Sequence, residues 1–138
     1  MTVLLAVFLT AALGPGLQSI PDEEAERFAG AWVEKDVRAL GDLMAEDGIR
    51  LHLPGEEHQR INPRQARAAL HAFLEHYAGG EVDAIEVSLA GGDPGKGFAE
   101  IRWRTGSPGV TEPVIFTLFV AFAHVDESWV VTEIRVLF

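Results

Sequence analysis

The sequence contains no cysteine, which excludes structural disulfides, thiolate zinc sites, thiol catalysis and a lipid anchor on an N-terminal Cys. The redox compartment stays open. Positive charge is also scarce: 11 Lys and Arg stand against 21 Asp and Glu, a net charge of −10 at pH 7. No basic run or stripe with interleaved aromatics offsets that balance, and phosphate backbones repel an acidic chain, so nucleic acid is not an expected partner. No phosphate-cradling loop is present, because the Gly91 to Gly97 stretch lacks a strand-to-helix context. The five His show neither His-x-His on a strand nor an acid-backed pair one helical turn apart. His71 and His76 are separated by about 140° around a helix. No metal and no other cofactor is expected. No Ser or Thr stands beside a His in a recognisable nucleophile arrangement.

What is present is a chain of 138 residues, 48% apolar and 23% charged. It is long enough for one domain, 20–138, that buries about two thirds of its unfolded surface. Residues 1–19 contain no charged side chain: Val3 to Leu13 is apolar apart from Thr10 and runs into Gly14-Pro15-Gly16. A bilayer helix needs about 20 apolar residues, whereas a secretory segment needs about 7 to 15 followed by a breaker. The segment therefore reads as a signal peptide, although its basic start is missing and the first positive side chain is Arg27. The alternatives are a buried N-terminal helix and an uncleaved anchor. Export to the periplasm or the outside follows from the first reading, with no stable membrane insertion after processing.

Beyond residue 20 the apolar spacing is mainly helical, with one short alternating strand, and after Gly79-Gly80 it alternates to the end. Ala25, Phe28, Ala29 and Trp32 form a helical stripe after Pro21-Asp22-Glu23-Glu24, with Asp22 as the expected N-cap. Asp36 is placed to cap a second short helix, carrying Val37, Leu40, Leu43 and Met44, that ends before Gly48. Ile49, Leu51 and Leu53 alternate as a strand and lead into a polar hairpin or loop at Gly55-Glu56-Glu57-His58. Asn62-Pro63-Arg64-Gln65 combines an N-cap, Pro at N1 and a capping-box Gln, so a helix is expected to about Ala78. Four alternating segments follow: Glu81 to Ala90, Phe98 to Thr105, Glu112 to Val125, and Ser128 to Phe138, joined by turn-like linkers. The fold class expected is α+β, with N-terminal helices packed on one face of a curved antiparallel sheet.

This order, with the terminal hairpin Glu127-Ser128-Trp129-Val130-Val131-Thr132-Glu133-Ile134-Arg135, resembles the nuclear transport factor 2-like superfamily, including its SnoaL and ketosteroid isomerase-like members. Val33 to Leu40, the Leu51-x-Leu53 strand, and Gln65-Ala66 leading to Phe73-Leu74 look like a branch of short exported bacterial proteins of unassigned function. The resemblance covers about residues 22 to 138. It implies a cone-shaped sheet holding an apolar pocket, and frequent pairing through the sheet. Function does not follow from such a fold. The expected pocket-lining and core aromatics are Trp32, Phe73, Tyr77, Trp103 and Phe116.

Enzymes of this fold place a carboxylate or Tyr on the inward face, where burial tunes it. On the apolar side of the strands only Asp83 and Thr105 occur, at the ends, and Thr132 shares a side with Val130, Ile134 and Val136. No paired carboxylate faces inward. The single Tyr, Tyr77, reads as a core residue. Glu100, Arg102 and Arg104, with Glu133 and Arg135, could form a cross-strand ladder. The locally basic stretch Arg50, His52, His58, Arg60, Arg64 and Arg67 could hold an anion near Asn62, against an ordinary charged surface. His71 and Glu75 are spaced as an i,i+4 pair. The resulting expectation is a non-enzymatic exported domain that binds a small apolar ligand or a protein partner. A cone-pocket isomerase, cyclase or hydrolase is the alternative. Val114 to Ala123 is apolar on both sides except at Thr117, so whichever side meets water exposes a patch, and a homodimer through the sheet is expected.

Overall fold

The computed structural model describes residues 21–92 and 94–138. The expected signal peptide, residues 1–19, lies outside the described residues. In chain order the elements are α1 (Asp22–Val33), α2 (Val37–Asp42), β1 (Ile49–Leu53), β2 (Glu56–Ile61), α3 (Pro63–Leu74), β3 (Glu81–Ala90), β4 (Lys96–Thr105), β5 (Val114–Val125) and β6 (Ser128–Leu137). The fold is α+β, as expected.

Two of the three helix starts follow the local signals. The Asp36 carboxylate accepts from the Ala39 N–H at 3.1 Å. Asn62 and Gln65 close a full capping box, with the Gln65 N–H donating to Asn62 Oδ1 at 2.8 Å and the Asn62 N–H donating to Gln65 Oε1 at 3.1 Å. α1 differs, for its N-cap is Pro21 and no side chain caps it. Packing sets that start. Pro21 is buried against Gly97, where a Cβ would fall 2.8 Å from the Pro21 ring, while Asp22, Glu23 and Glu24 meet the positive end of the helix dipole.

α3 stops at Leu74 rather than Ala78, and the reason is tertiary. The chain after it is captured by the end of β4: the Ala78 N–H donates to Gly106 O at 2.9 Å, and the Thr105 hydroxyl to Ala78 O at 2.5 Å. The Trp103 indole N–H donates to Gly79 O at 2.8 Å. A Cβ on Gly79 would strike the Val33 carbonyl, and one on Gly80, whose φ is +68°, would strike the Arg104 carbonyl. Only glycines let three backbone segments meet there.

The six strands form one sheet in the order β2-β1-β6-β5-β4-β3. It is mixed rather than wholly antiparallel, because β1 pairs parallel with β6. The chain leaving α2 is zipped onto β6 first: the Val131 N–H donates to Leu43 O at 2.7 Å and the Ala45 N–H to Val131 O at 2.8 Å. That attachment sets the direction in which β1 arrives. The polar stretch after Pro54 is not only a turn. Glu56–Ile61 forms an edge strand whose charged residues face water, a composition that discourages further pairing.

Bulges interrupt the alternation in β3 and along the β5–β6 pair. In β3 the pairing passes from Val82 opposite Trp103 to Ala84 opposite Arg102, so Asp83 is the extra residue. In β6 the extra residue is Thr132, whose hydroxyl donates to Ala121 O at 3.3 Å. The bulge brings Val131, rather than Val130, into the core with Ile134 and Val136. Strict period-2 counting misses such a phase change.

The helices lie on one face. Phe28, Trp32, Leu40, Leu70 and Leu74 pack there against Ile101, Trp103, Phe116, Leu118 and Ile134 of the sheet. Among the described residues no helix covers the other face. No helix among them is long and apolar enough to cross a membrane.

Candidate functional site

All five aromatics singled out in the sequence meet on the helix side of the sheet. Trp32 lies edge-on to Trp103 at 5.5 Å, Trp103 stacks on Phe116 at 5.2 Å, and Phe73 and Tyr77 close the cluster at 5.3 Å from each other. Trp32, Trp103 and Phe116 are fully buried, whereas Phe73 and Tyr77 are half-buried at its edge. The rings fill space against one another. The Thr105 hydroxyl, buried beside the cluster, is satisfied by Ala78 O, whereas the Trp32 indole N–H is buried without a hydrogen-bond partner among the described residues.

Asp83 is engaged as well. The bulge turns it toward Arg104 on the open face, and the pair is bidentate, at 2.8 and 3.1 Å. That hydrogen bond and the Asp83 charge, with Glu81 adding to them, hold the Arg104 pKa above its ordinary value against the opposing desolvation. Asp83 is thus part of a surface ion pair, as Glu81 is at 3.4 Å.

The anticipated ladder from Glu100, Arg102 and Arg104 to Glu133 and Arg135 does not form. β5 lies between β4 and β6, so Glu100 faces Phe119, and Arg135 stands on the far side of that Phe. Four of the six residues of the basic stretch lie beside carboxylates instead. His52 pairs with Glu57 at 3.1 Å, His58 with Glu56 at 2.6 Å, Arg60 with Asp47 at 3.4 Å, and Arg67 reaches Asp42 at 4.0 Å. His71 and Glu75 make the expected pair, at 3.8 Å.

The open face of β3 to β6 holds the feature that sequence reading did not assemble. Two cross-strand rows run over it. One carries Glu86, Glu100, Phe119 and Arg135; the next carries Ser88, Phe98, Ala121 and Glu133. Phe98 and Phe119 are diagonal neighbours, 44% and 37% exposed, and so form one patch rather than two scattered rings. Together with Ala121 they floor a cleft of about 440 Å³ whose borders are Glu86, Glu100, Glu133 and Arg135. That volume lies within the range of small-molecule sites. Ile115, 46% exposed, extends the apolar strip along β5. The signal was in the sequence as the two-sided apolar character of Val114 to Ala123, but the partners of Phe119 across the sheet were not.

No family model matches the sequence, and no curated protein matches it. Solved structures do. A DUF4783 family protein from Bacteroides uniformis superposes with a TM-score of 0.61 at 20% identity, over 80% of this chain and 93% of that one. A hypothetical protein with a ketosteroid isomerase-like fold from Catenulispora acidiphila, in complex with trimethylamine, gives 0.60 at 16% identity over 85% of each chain. An NTF-2 like protein of unknown function from Shewanella oneidensis gives 0.54 at 14% identity, over 80% and 90%. At these identities the likeness is one of fold, and the chain has the nuclear transport factor 2-like fold.

Proposed function

We propose that this chain is a non-enzymatic binding domain that works through the open face of its sheet. The observation that carries the reading is the contrast between a helix side filled with aromatics packed against one another and an opposite side whose exposed phenylalanines floor a 440 Å³ cleft. A small ligand with an apolar part would gain by covering those rings, at about 25 cal/mol per Å² of apolar surface removed from water. The structural neighbour bound to trimethylamine supports the idea that this fold takes small ligands. The reading is tested by amide chemical-shift mapping during titration with small amphipathic compounds. Shifts should centre on Phe98, Phe119 and Ala121, and shifts confined to the helix side would favour a cone-pocket site and reopen the isomerase, cyclase or hydrolase alternative.

Self-association through the same face is a second reading, favoured by the exposed strip of Phe98, Ile115 and Phe119. A two-fold copy would cover it. Light scattering at micromolar concentration should report a dimer that Phe119→Glu converts to monomer, and an unaltered monomer in both chains would remove this reading. Export belongs to the same proposal, supported by the uncharged residues 1–19 ending at Gly14-Pro15-Gly16. N-terminal sequencing from the native host should find a mature start near residues 17 to 22.

A further inference from the structure

Glu86 and Glu100 stand directly opposite each other on β3 and β4. Like charges in that position repel. Among the described residues neither they nor Glu133 has an ion-pair or side-chain hydrogen-bond partner. Arg102 lies one row away, opposite Ala84 and Thr117, and outside the cleft. Arg135 borders the cleft on the far side of Phe119 from Glu100. Arg50 stands opposite Glu133 on β1, outside the cleft. The cleft itself is therefore lined by three carboxylates and one guanidinium around two exposed aromatic rings, on a molecule that is itself strongly acidic.

We infer that the cleft binds small organic amines, with the ammonium placed over Phe98 and Phe119 among Glu86, Glu100 and Glu133 and the apolar body lying along the strip toward Ala121. The inference rests on the binding reading above and adds the charge of the ligand. Three physical contributions point the same way. A cation relieves the Glu86–Glu100 repulsion. It is attracted by the negative faces of the rings. The net charge of −10 raises the local concentration of cations around the whole molecule. An anionic ligand would meet all three as penalties, and a neutral one would gain only from the covered rings.

The test compares benzylammonium with benzyl alcohol, which share shape and apolar area and differ in charge, by amide chemical-shift titration of the full chain at pH 7 and low salt. Benzylammonium should shift Phe98, Glu100 and Phe119 and bind about tenfold more tightly than the alcohol. Raising salt to about 0.5 M should narrow that gap. The double variant Glu86→Gln/Glu100→Gln should remove the preference, and Phe119→Leu, which keeps the apolar floor without the ring, should weaken amine binding several-fold. These residues are exposed, so both variants should fold; unchanged far-UV circular dichroism and melting confirm it. Equal binding of amine and alcohol overturns the ammonium inference and leaves the binding cleft standing. If neither compound shifts the cleft amides, the inference and the ligand reading both fall, and a dimer seen by light scattering under those conditions assigns the face to a second copy.

Discussion

Along β4 one backbone carries two different surfaces. Ala99, Ile101, Trp103 and Thr105 point toward the helices and are buried, while Phe98, Glu100, Arg102 and Arg104 alternate with them and are exposed. β5 repeats the division, with Phe116, Leu118, Val120 and Phe122 inside and Ile115 and Phe119 outside. Phenylalanine occurs on both sides of both strands' shared sheet, so residue type alone does not assign a face. What separates Phe116 from Phe119 is whether a helix lies above them. The inner rings are held by one another; the outer rings have sheet neighbours but no aromatic partner and no covering helix among the described residues, and part of each remains open.

That contrast can be broken by mutation. Trp103→Ala removes a fully buried ring from the centre of the aromatic cluster and leaves the Gly79 carbonyl without its indole donor, so urea melts should show a loss of about 3–5 kcal/mol. Phe119→Ala, on the neighbouring strand, should cost less than about 1 kcal/mol. Comparable losses at the two positions would mean that the outer face is covered as fully as the inner one.

Gly80→Ala should come next. Its φ of +68° and the Arg104 carbonyl in the path of a Cβ require a backbone shift where α3, α1 and β4 converge. The expected loss is more than about 1 kcal/mol, whereas Gly106→Ala, with open space around the new methyl, should be neutral or slightly stabilising. Thermal melts of the two variants test whether the inner face depends on this close approach.

Asn62→Ala removes the cap of α3 and should cost about 1 kcal/mol, with Asn62→Ser restoring most of it. Because α3 lies on the helix side, amine binding at the outer cleft should be unchanged, which sharpens the separation of the two faces. The smallest effect belongs to Arg104→Gln on the open face. Its ion pair with Asp83 is solvated, so the loss of stability should be slight and should fade as salt is raised toward about 1 M, measured by melting at several ionic strengths.

Local patterns made much of the fold legible. The stripe from Ala25 to Trp32, the capping box at Asn62 and the alternation from Phe98 to Thr105 each reside in neighbouring residues and needed no partner to be read. The candidate site was less legible. Glu86, Glu100 and Phe119 come from three strands, and only the register brings them into one row. The supposed ladder between β4 and β6 failed for the same reason, since strand order is not a local property. β2 was legible only as a polar hairpin or loop, because it is polar on both faces and owes its existence to pairing with β1.

By itself, the sequence determined the helices, the long strands, the absence of cysteine chemistry and the acidic character, because spacing, caps and composition act over a few residues or over the chain as a whole. Tertiary structure decided which face of β5 stays open, where the bulges at Asp83 and Thr132 shift the phase, and that β1 runs parallel to β6. Those outcomes depend on contacts between residues far apart in the chain, such as Val131 with Leu43 and Trp103 with Gly79. The cleft belongs to that second group: its carboxylates and rings are unremarkable one by one and become a site only when the register sets them side by side.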